Sequence, residues 1–472
     1  MSVTVNAAGR LDRLPICRFH WKILGLIAGG AFLDAFDIYL ANGSVAAMVK
    51  EGFTDLRHGA IFVSATFVGM MIGAYAAGHI GDKLGRRYSY QLNLGIFGLA
   101  SIAACFAPNI EWLIVLRFIM GVGLGAELVV AAGTLAEFVP PATRGKWVSL
   151  LAIIINSGLF AALAAGYWII PNLGWRYMFA IAGVGALIVW FLRHRMPESP
   201  RWLESTGKLE EAEATLGAIE REVETRVGAL PPVQRVVNLN VGTVPLRALF
   251  VPGMRGRTFV AALTAIGVNV GLYGFIAWLP TFFVSEGLSI VKSLGFVLLM
   301  SIGSPVGGLV GYLIADRVGR AKGIVLSALV SIALGWIYVT LRDPAYIVFI
   351  GFCLVTAIYT ITTLGLFGYI PELFPTEVRL RGTGVAGTSG RAASIATPYL
   401  ALLLYQHVGV SGVIAMVSAV FAILCAAILV LRVETGRHAL EDVAPGKSDT
   451  APLVQPESST TRPSQSAPAR SG

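Results

Sequence analysis

Gly81-Asp82-Lys83-Leu84-Gly85-Arg86-Arg87 returns, with small changes, as Ala315-Asp316-Arg317-Val318-Gly319-Arg320-Ala321. A second pair of stretches keeps nearly the same step along the chain, for EFVPPATRG from Glu137 reappears as ELFPTEVRLRG from Glu372. Two polar signatures recurring at one offset mark a duplicated unit. What surrounds them decides its nature.

Each signature is a short polar connection between long apolar runs. Runs near the length of about 20 residues that crosses a bilayer as helix fall at 23–47, 60–80, 89–107, 112–134, 147–170, 177–192, 258–281, 292–313, 323–341, 345–370, 383–404 and 410–431. The expected fold is all-α: twelve transmembrane helices in two pseudo-symmetric six-helix bundles, 23–192 and 258–431. Residues 1–22 form a cytoplasmic N-terminus and 193–257 a cytoplasmic linker. GKLEEAEATLGAIEREVET (207–225) predicts short helices there, from Ala, Leu, Glu and Lys at helical spacing. The tail 432–472 is rich in Ser, Thr, Pro and Gln and reads as disordered from about 443. Duplicated units of this kind place a substrate site at their interface near mid-membrane.

Composition agrees. Of 472 residues, 56% are hydrophobic and 13% charged, against about 25% charged in soluble domains, and one soluble core cannot hide so much apolar surface. The net charge of +9 lies in short clusters between apolar runs, which does not match the basic face expected of a nucleic-acid binder. One side of the membrane receives Arg10 to Lys22, Lys83/Arg86/Arg87, Arg144/Lys146, the linker, Arg317/Arg320/Lys322, Arg379/Arg381 and Arg432/Arg437. The other receives Lys50, Arg57, Arg176, Lys292 and Arg342, so the positive-inside rule puts both termini in the cytoplasm. The first run is too long for a signal peptide and contains two carboxylates; it reads as a retained helix. Cys17, Cys105, Cys353 and Cys425 form no metal or disulfide pattern, and no cofactor is expected. GVGLGAE (121–127) lacks the lysine of a phosphate loop, so neither ATP-driven transport nor catalysis is expected.

Ionisable groups inside bilayer helices mark function by default, and the spans contain five: Asp34, Asp37, Arg117, Glu127 and Arg391. Asp34 and Asp37 share a helix face, and Asp34 reads as a second proton site or as a cap on local packing. Asp37 and Arg117 reach similar depth and can form a pair that a proton opens, or a permanent brace between two helices. Glu127, deeper in its helix, reads as a proton acceptor or as a partner of Arg391. Arg391, near mid-membrane, is suited to bidentate capture of a carboxylate, or pairs across helices. Asn156, Asn269, Tyr273, Tyr359 and Tyr369 are candidate cavity groups or locally satisfied packing.

Over residues 20–440 the chain resembles the major facilitator superfamily, on the loop GHIGDKLGRR (78–87). Arg117-FIMGVGLG, EFVPPATRG, GWRYMF (174–179), PESPRWL (197–203) and ETGRHALEDV (434–443) look like its sugar-porter group. Sugar porters carry a Gln-rich run in helix seven and a Trp-containing one in helix ten; this chain has IGVNVGLYGFIAWLP (266–280) and TTLGLFGYIPELFP (362–375). The first of these, DAFD (34–37) and SGRAASIATP (389–398) look more like proton-coupled carriers of aromatic acids and nicotinate, and are similar to organic-ion carriers. The resemblance implies alternating access and gives proton coupling to Asp37 and Arg117. It also implies that Asp82, Arg86, Arg87, Glu137, Arg144, Glu198, Arg201, Asp316, Arg320, Glu372 and Arg379 lock the cytoplasmic face.

The expected protein is a monomeric secondary transporter of the bacterial inner membrane, with protons, a small-molecule substrate and lipid as its partners. Symport of a small organic anion leads; sugar or polyol symport and efflux of organic compounds are the alternatives. A transporter-shaped sensor is the reading from another class, and the short tail is poor material for a signalling domain.

Overall fold

A computed structural model describes residues 5–140, 143–194, 196–233, 246–374 and 378–431. Among them the secondary structure is entirely helical. After a short α1 (Ala7–Asp12), six long helices follow: α2 (Arg18–Lys50), α3 (Leu56–Leu84), α4 (Arg86–Ala104), α5 (Ile110–Phe138), α6 (Arg144–Leu173) and α7 (Arg176–Arg193). The linker folds as α8 (Pro200–Ser205) and α9 (Leu209–Val227). Six further columns follow among the described residues. The first is α10 (Arg255–Val270), which passes through a π turn at Gly271–Phe275 into α11 (Leu279–Ser285). The next are α12 (Ile290–Ser301) stacked on α13 (Gly303–Val318), then α14 (Arg320–Thr340). α15 (Pro344–Thr362) runs through a second π turn, Thr363–Tyr369, to α16 (Ile370–Glu372), and α17 (Arg379–Val408) and α18 (Val410–Leu431) close the bundle. The tail after residue 431 lies outside the described residues.

Local chemistry sets the ends. Asp55, Asn109, Ser289 and Asp343 each accept a hydrogen bond from a backbone N–H in the first turn of the following helix, at 2.7–3.3 Å, which satisfies an otherwise orphaned donor. The repeated loop turns on Gly85 (φ 99°) and on its counterpart Gly319 (φ 88°), both in a region that side chains with a Cβ rarely enter. The outward faces are apolar: Leu99, Phe191, Phe349 and Val430 are each at least 60% exposed. A belt of that kind is a lipid-facing surface.

Inside each half, glycines let two helices touch backbone to backbone. A Cβ on Gly69 or Gly73 of α3 would overlap the carbonyl oxygens of Phe118 and Val122 of α5, and one on Gly121 or Gly125 would overlap those of Thr66 and Met70. The C-terminal half repeats the device. Gly303 and Gly307 of α13 follow Gly69 and Gly73 by the same step that separates Asp316 from Asp82, and they pack on the carbonyls of Phe352 and Thr356 of α15. Small residues at four-residue spacing are how membrane helices gain close contact. Gly73→Val is therefore expected to cost about 3 kcal/mol or more by overpacking, read as a lower melting temperature of the purified protein. Gly25→Ala, with nothing within 4 Å of the added atom, is expected to leave it unchanged.

Candidate functional site

Among the described residues, polar and aromatic contacts join the halves. Asn156 of α6 donates from Nδ2 to Thr363 Oγ1 at 3.4 Å, and its carbonyl accepts from Ser304 Oγ at 3.1 Å. Ser64 of α3 donates to the Ile395 carbonyl of α17 at 3.0 Å. The Tyr359 hydroxyl donates to that of Tyr39 at 2.8 Å. Tyr273 packs between Tyr39 and Phe67, with ring centroids 6.3 and 4.4 Å away. Arg391 donates from Nη2 to the Gly125 carbonyl at 3.2 Å.

The resulting centre is asymmetric. Arg391 is partly buried in the middle of α17 and has no acidic partner among the described residues; the Tyr273 hydroxyl lies close enough to feel its charge. Asn269 is satisfied within its own half, donating to the Ala265 carbonyl at 2.7 Å and accepting from Ser394 Oγ at 2.7 Å. Tyr359 belongs to the interface, but Tyr369 lies further along the column, next to Gly368, whose carbonyl accepts from Arg320 at 3.5 Å. Tyr39, Ser64, Ser304, Thr363 and Ser394 were missed. For Tyr39 a signal existed, a phenol two positions beyond Asp37 in an apolar run.

Among the described residues, the acids buried within the long helices, Asp34, Asp37 and Glu127, lie in the N-terminal half. Asp37 Oδ2 accepts from Arg117 Nη1 at 2.5 Å, and Arg117 Nη2 also donates to the Asp37 carbonyl at 2.9 Å; both side chains are at most 1% exposed. Asp34 is equally buried, and its Oδ2 has no hydrogen-bond partner among the described residues. Two sequence expectations need correction. Glu127 does not meet Arg391. It is ion-paired with Arg193, whose Nη1 donates to Glu127 Oε2 at 2.9 Å while Nη2 binds Oε1. Arg193, assigned above to the polar linker, is the last residue of α7 and is 1% exposed, which adds a buried guanidinium to the groups read from the sequence. A snorkelling guanidinium at a helix end is read from sequence as a loop charge, and here it turns inward.

The charges on the face that bears the linker form short networks. Arg320 is ion-paired with Glu372. The Arg87 amide donates to Glu198 Oε2 at 3.1 Å, and its guanidinium donates to the His194 carbonyl at 2.7 Å. Arg201 donates to the Glu137 carbonyl at 3.0 Å and to Asp12 Oδ1 at 2.5 Å, with Arg144 3.9 Å from the same oxygen. The side chains of Asp82, Arg86, Asp316 and Arg379 lie outside the described residues.

Asp12 belongs to a strap that the sequence reading treated as a tail. Val5, Ala7, Ala8, Leu11 and Leu14 are buried, and the amides of Asn6 and Ala7 donate to the Glu204 carboxylate at 2.7 and 2.8 Å. Arg10 and Arg13 both bind Glu220 of α9, at 2.6 and 2.7 Å. Burial pushes the Glu220 carboxyl up, but the bonds from Arg10 and Arg13 outweigh it and hold the group below its ordinary value. A depressed acid contributes stability above its unfolded pKa and loses it as pH falls through the folded value. The strap is therefore expected to hold at neutral pH and loosen once pH drops below about 4. Amide hydrogen exchange of residues 5–14 across that range would read it, and Glu220→Gln would show faster exchange already at pH 7.

Comparisons with known proteins agree with this architecture. The sequence profile of the Major Facilitator Superfamily matches residues 27–371. The chain is 36% identical over 444 residues to the inner membrane metabolite transport protein YdjE of Escherichia coli (strain K12), covering 92% of this chain and 97% of that one. It is 30% identical over 444 residues to the niacin transporter NiaP of Acinetobacter baylyi, covering 93% and 100%. Among solved structures, the partially occluded inward-open xylose transporter XylE of E. coli superposes with a TM-score of 0.73 at 20% identity, covering 90% of this chain and all of that one. The chain therefore belongs to the Major Facilitator Superfamily, as a multi-pass membrane transporter of metabolites and not an enzyme.

Proposed function

We propose that this transporter is a proton-coupled symporter importing a small organic anion, an aromatic or pyridine carboxylate such as nicotinate or hydroxybenzoate. It works as a monomer in a bacterial inner membrane with both termini cytoplasmic, rocking one half against the other. The observation that carries this reading is Arg391. A guanidinium in the middle of the bilayer needs a counter-charge, and this one has only the Gly125 carbonyl and the neighbouring Tyr273 among the described residues. A carboxylate supplies the missing charge with two parallel hydrogen bonds. The rings of Tyr273, Tyr39 and Phe67 offer an aromatic acid faces and edges to pack on. The Acinetobacter relative is named for niacin, itself a pyridine carboxylate.

Proton coupling is assigned to the buried acids of the N-terminal half, which are Asp34 and the two held by guanidinium groups, Asp37 by Arg117 and Glu127 by Arg193. The Arg320–Glu372 pair and the Arg87, Arg144 and Arg201 contacts act as the cytoplasmic lock. Each exposed pair is weak, about 0–1 kcal/mol, but together they bias a two-state equilibrium. The test is uptake of labelled nicotinate, 4-hydroxybenzoate, xylose and a polyol into proteoliposomes, with and without an inward proton gradient. Gradient-driven accumulation of an acid is expected. Accumulation of the sugar without either acid would overturn the substrate class, and equal uptake without the gradient would overturn the coupling.

A further inference from the structure

The buried charges pair off unevenly. Asp37 holds Arg117 and Glu127 holds Arg193, which leaves Asp34 in one half and Arg391 in the other without an ionic partner among the described residues. Three acids stand with three guanidinium groups, so this set is neutral when all are ionised. A monovalent carboxylate at Arg391 adds one negative charge, and one proton at Asp34 removes it. A proton on either paired acid would instead strand a guanidinium beside a neutral partner, a costly state in a low-dielectric interior.

One stripe of α2 organises this. Positions 27, 30, 34 and 37 follow three- and four-residue steps and share a face. At its inner end, Arg193 donates from Nε to the Leu26 carbonyl at 2.8 Å and from Nη2 to the Ile27 carbonyl at 3.1 Å. Its guanidinium also lies over the Tyr90 ring, 4.6 Å from the centroid. A Cβ at Gly30 would overlap both Arg193 and Glu127, so the pair rests against bare backbone. Asp34 follows one turn later, about 6 Å along the axis, and the Asp37–Arg117 pair comes next. Asp34 is thereby set between two fixed guanidinium groups. The charged groups within its reach are Glu127 from α5, Arg193 from α7 and Asp37 from α2 itself, with Arg117 beyond Asp37. Of the other helices packed on α2, α6 and α12 carry charge only near their ends, at Arg144, Lys146 and Lys292, and α11 carries none. α3 adds Arg57 and His58 at its outer end among the described side chains.

We infer that Asp34 carries the co-transported proton, one for each monovalent carboxylate, and that Arg193, locked by Glu127, is a positioning residue for it. The inference rests on the uptake reading above. It predicts electroneutral transport.

Proteoliposomes loaded for uptake of labelled nicotinate and 4-hydroxybenzoate test it. In the wild type, an inward proton gradient is expected to drive accumulation, whereas a potassium–valinomycin potential without a pH difference is not; accumulation driven by the potential alone would overturn the one-for-one balance. Asp34→Asn is expected to lose at least tenfold more of its gradient-driven accumulation than of its exchange of labelled for unlabelled acid. An equal loss, or none, would overturn the assignment of Asp34. Glu127→Gln removes an anion beside Asp34 and frees Arg193 to pair with it, which favours the ionised carboxylate. The pH of half-maximal uptake should then fall by about one unit. An unchanged midpoint would overturn the positioning role of Arg193, including where Asp34→Asn fails to fold. If neither acid enters wild-type vesicles, the uptake reading itself fails, a result separate from all of these.

Discussion

Arg391→Ala is expected to weaken binding of the transported acid about a hundredfold, and Arg391→Lys about tenfold. Two charge-assisted hydrogen bonds contribute roughly 3 kcal/mol together, and each 1.4 kcal/mol is a factor of about ten. Lysine keeps the charge and loses the planar fork, so it recovers only part. The measurement is concentration-dependent uptake of nicotinate beside nicotinamide, which has the same ring and no carboxylate. Wild-type protein should prefer the acid, and Arg391→Ala should lose that preference. Unchanged acid affinity in Arg391→Lys would remove the fork from the argument. Because Arg391 also reaches the Gly125 carbonyl across the two halves, thermal stability has to be followed in parallel.

Breaking the Asp37–Arg117 pair should have the largest effect on stability. Arg117→Ala leaves a carboxylate that is 0% exposed without its guanidinium, at an expected cost of about 3–5 kcal/mol. Arg117 also caps the Asp37 carbonyl and lies over the Phe62 ring at 5.3 Å, so its loss loosens contacts on both α2 and α3. The purified variant is expected to melt well below the wild type. Adding Asp37→Asn should recover most of the loss, since a neutral amide costs far less to bury than an orphaned charge. A double variant as unstable as Arg117→Ala would mean that packing, not charge, dominates at this position.

The twelve helices and their division into halves were legible because bilayer helices satisfy their backbone internally and must be apolar on their outer faces. That requirement writes itself into runs of residues such as 410–431. The depth of Asp37 and Arg117 was legible for the same reason: counting along helices that cross a slab gives depth directly. Contacts between helices were not legible. Glu127 was offered Arg391 or a proton, and found Arg193, because nothing in one dimension says which face of α7 turns toward α5. Arg193 was hidden by its place at a helix end, where positive charge is ordinarily a topology signal. The strap was hidden because so short a helix, with Arg beside Leu, gives no periodicity long enough to read. The π turns at Gly271–Phe275 and Thr363–Tyr369 fall where glycine and aromatic residues crowd together, yet propensity alone marks such stretches only as irregular.

The strap also carries a clock. The amide of Asn6 finds its carboxylate 198 residues further along the chain, and Arg10 finds Glu220 210 residues further. At about 5–20 residues per second of synthesis, the first dozen residues wait roughly 10–40 seconds before a partner exists. During that interval six helices enter the bilayer. Capture of residues 5–14 therefore marks the moment at which the first half is finished. A nascent chain arrested before Glu204 would still leave them open to protease, where one arrested well beyond Glu220 would not.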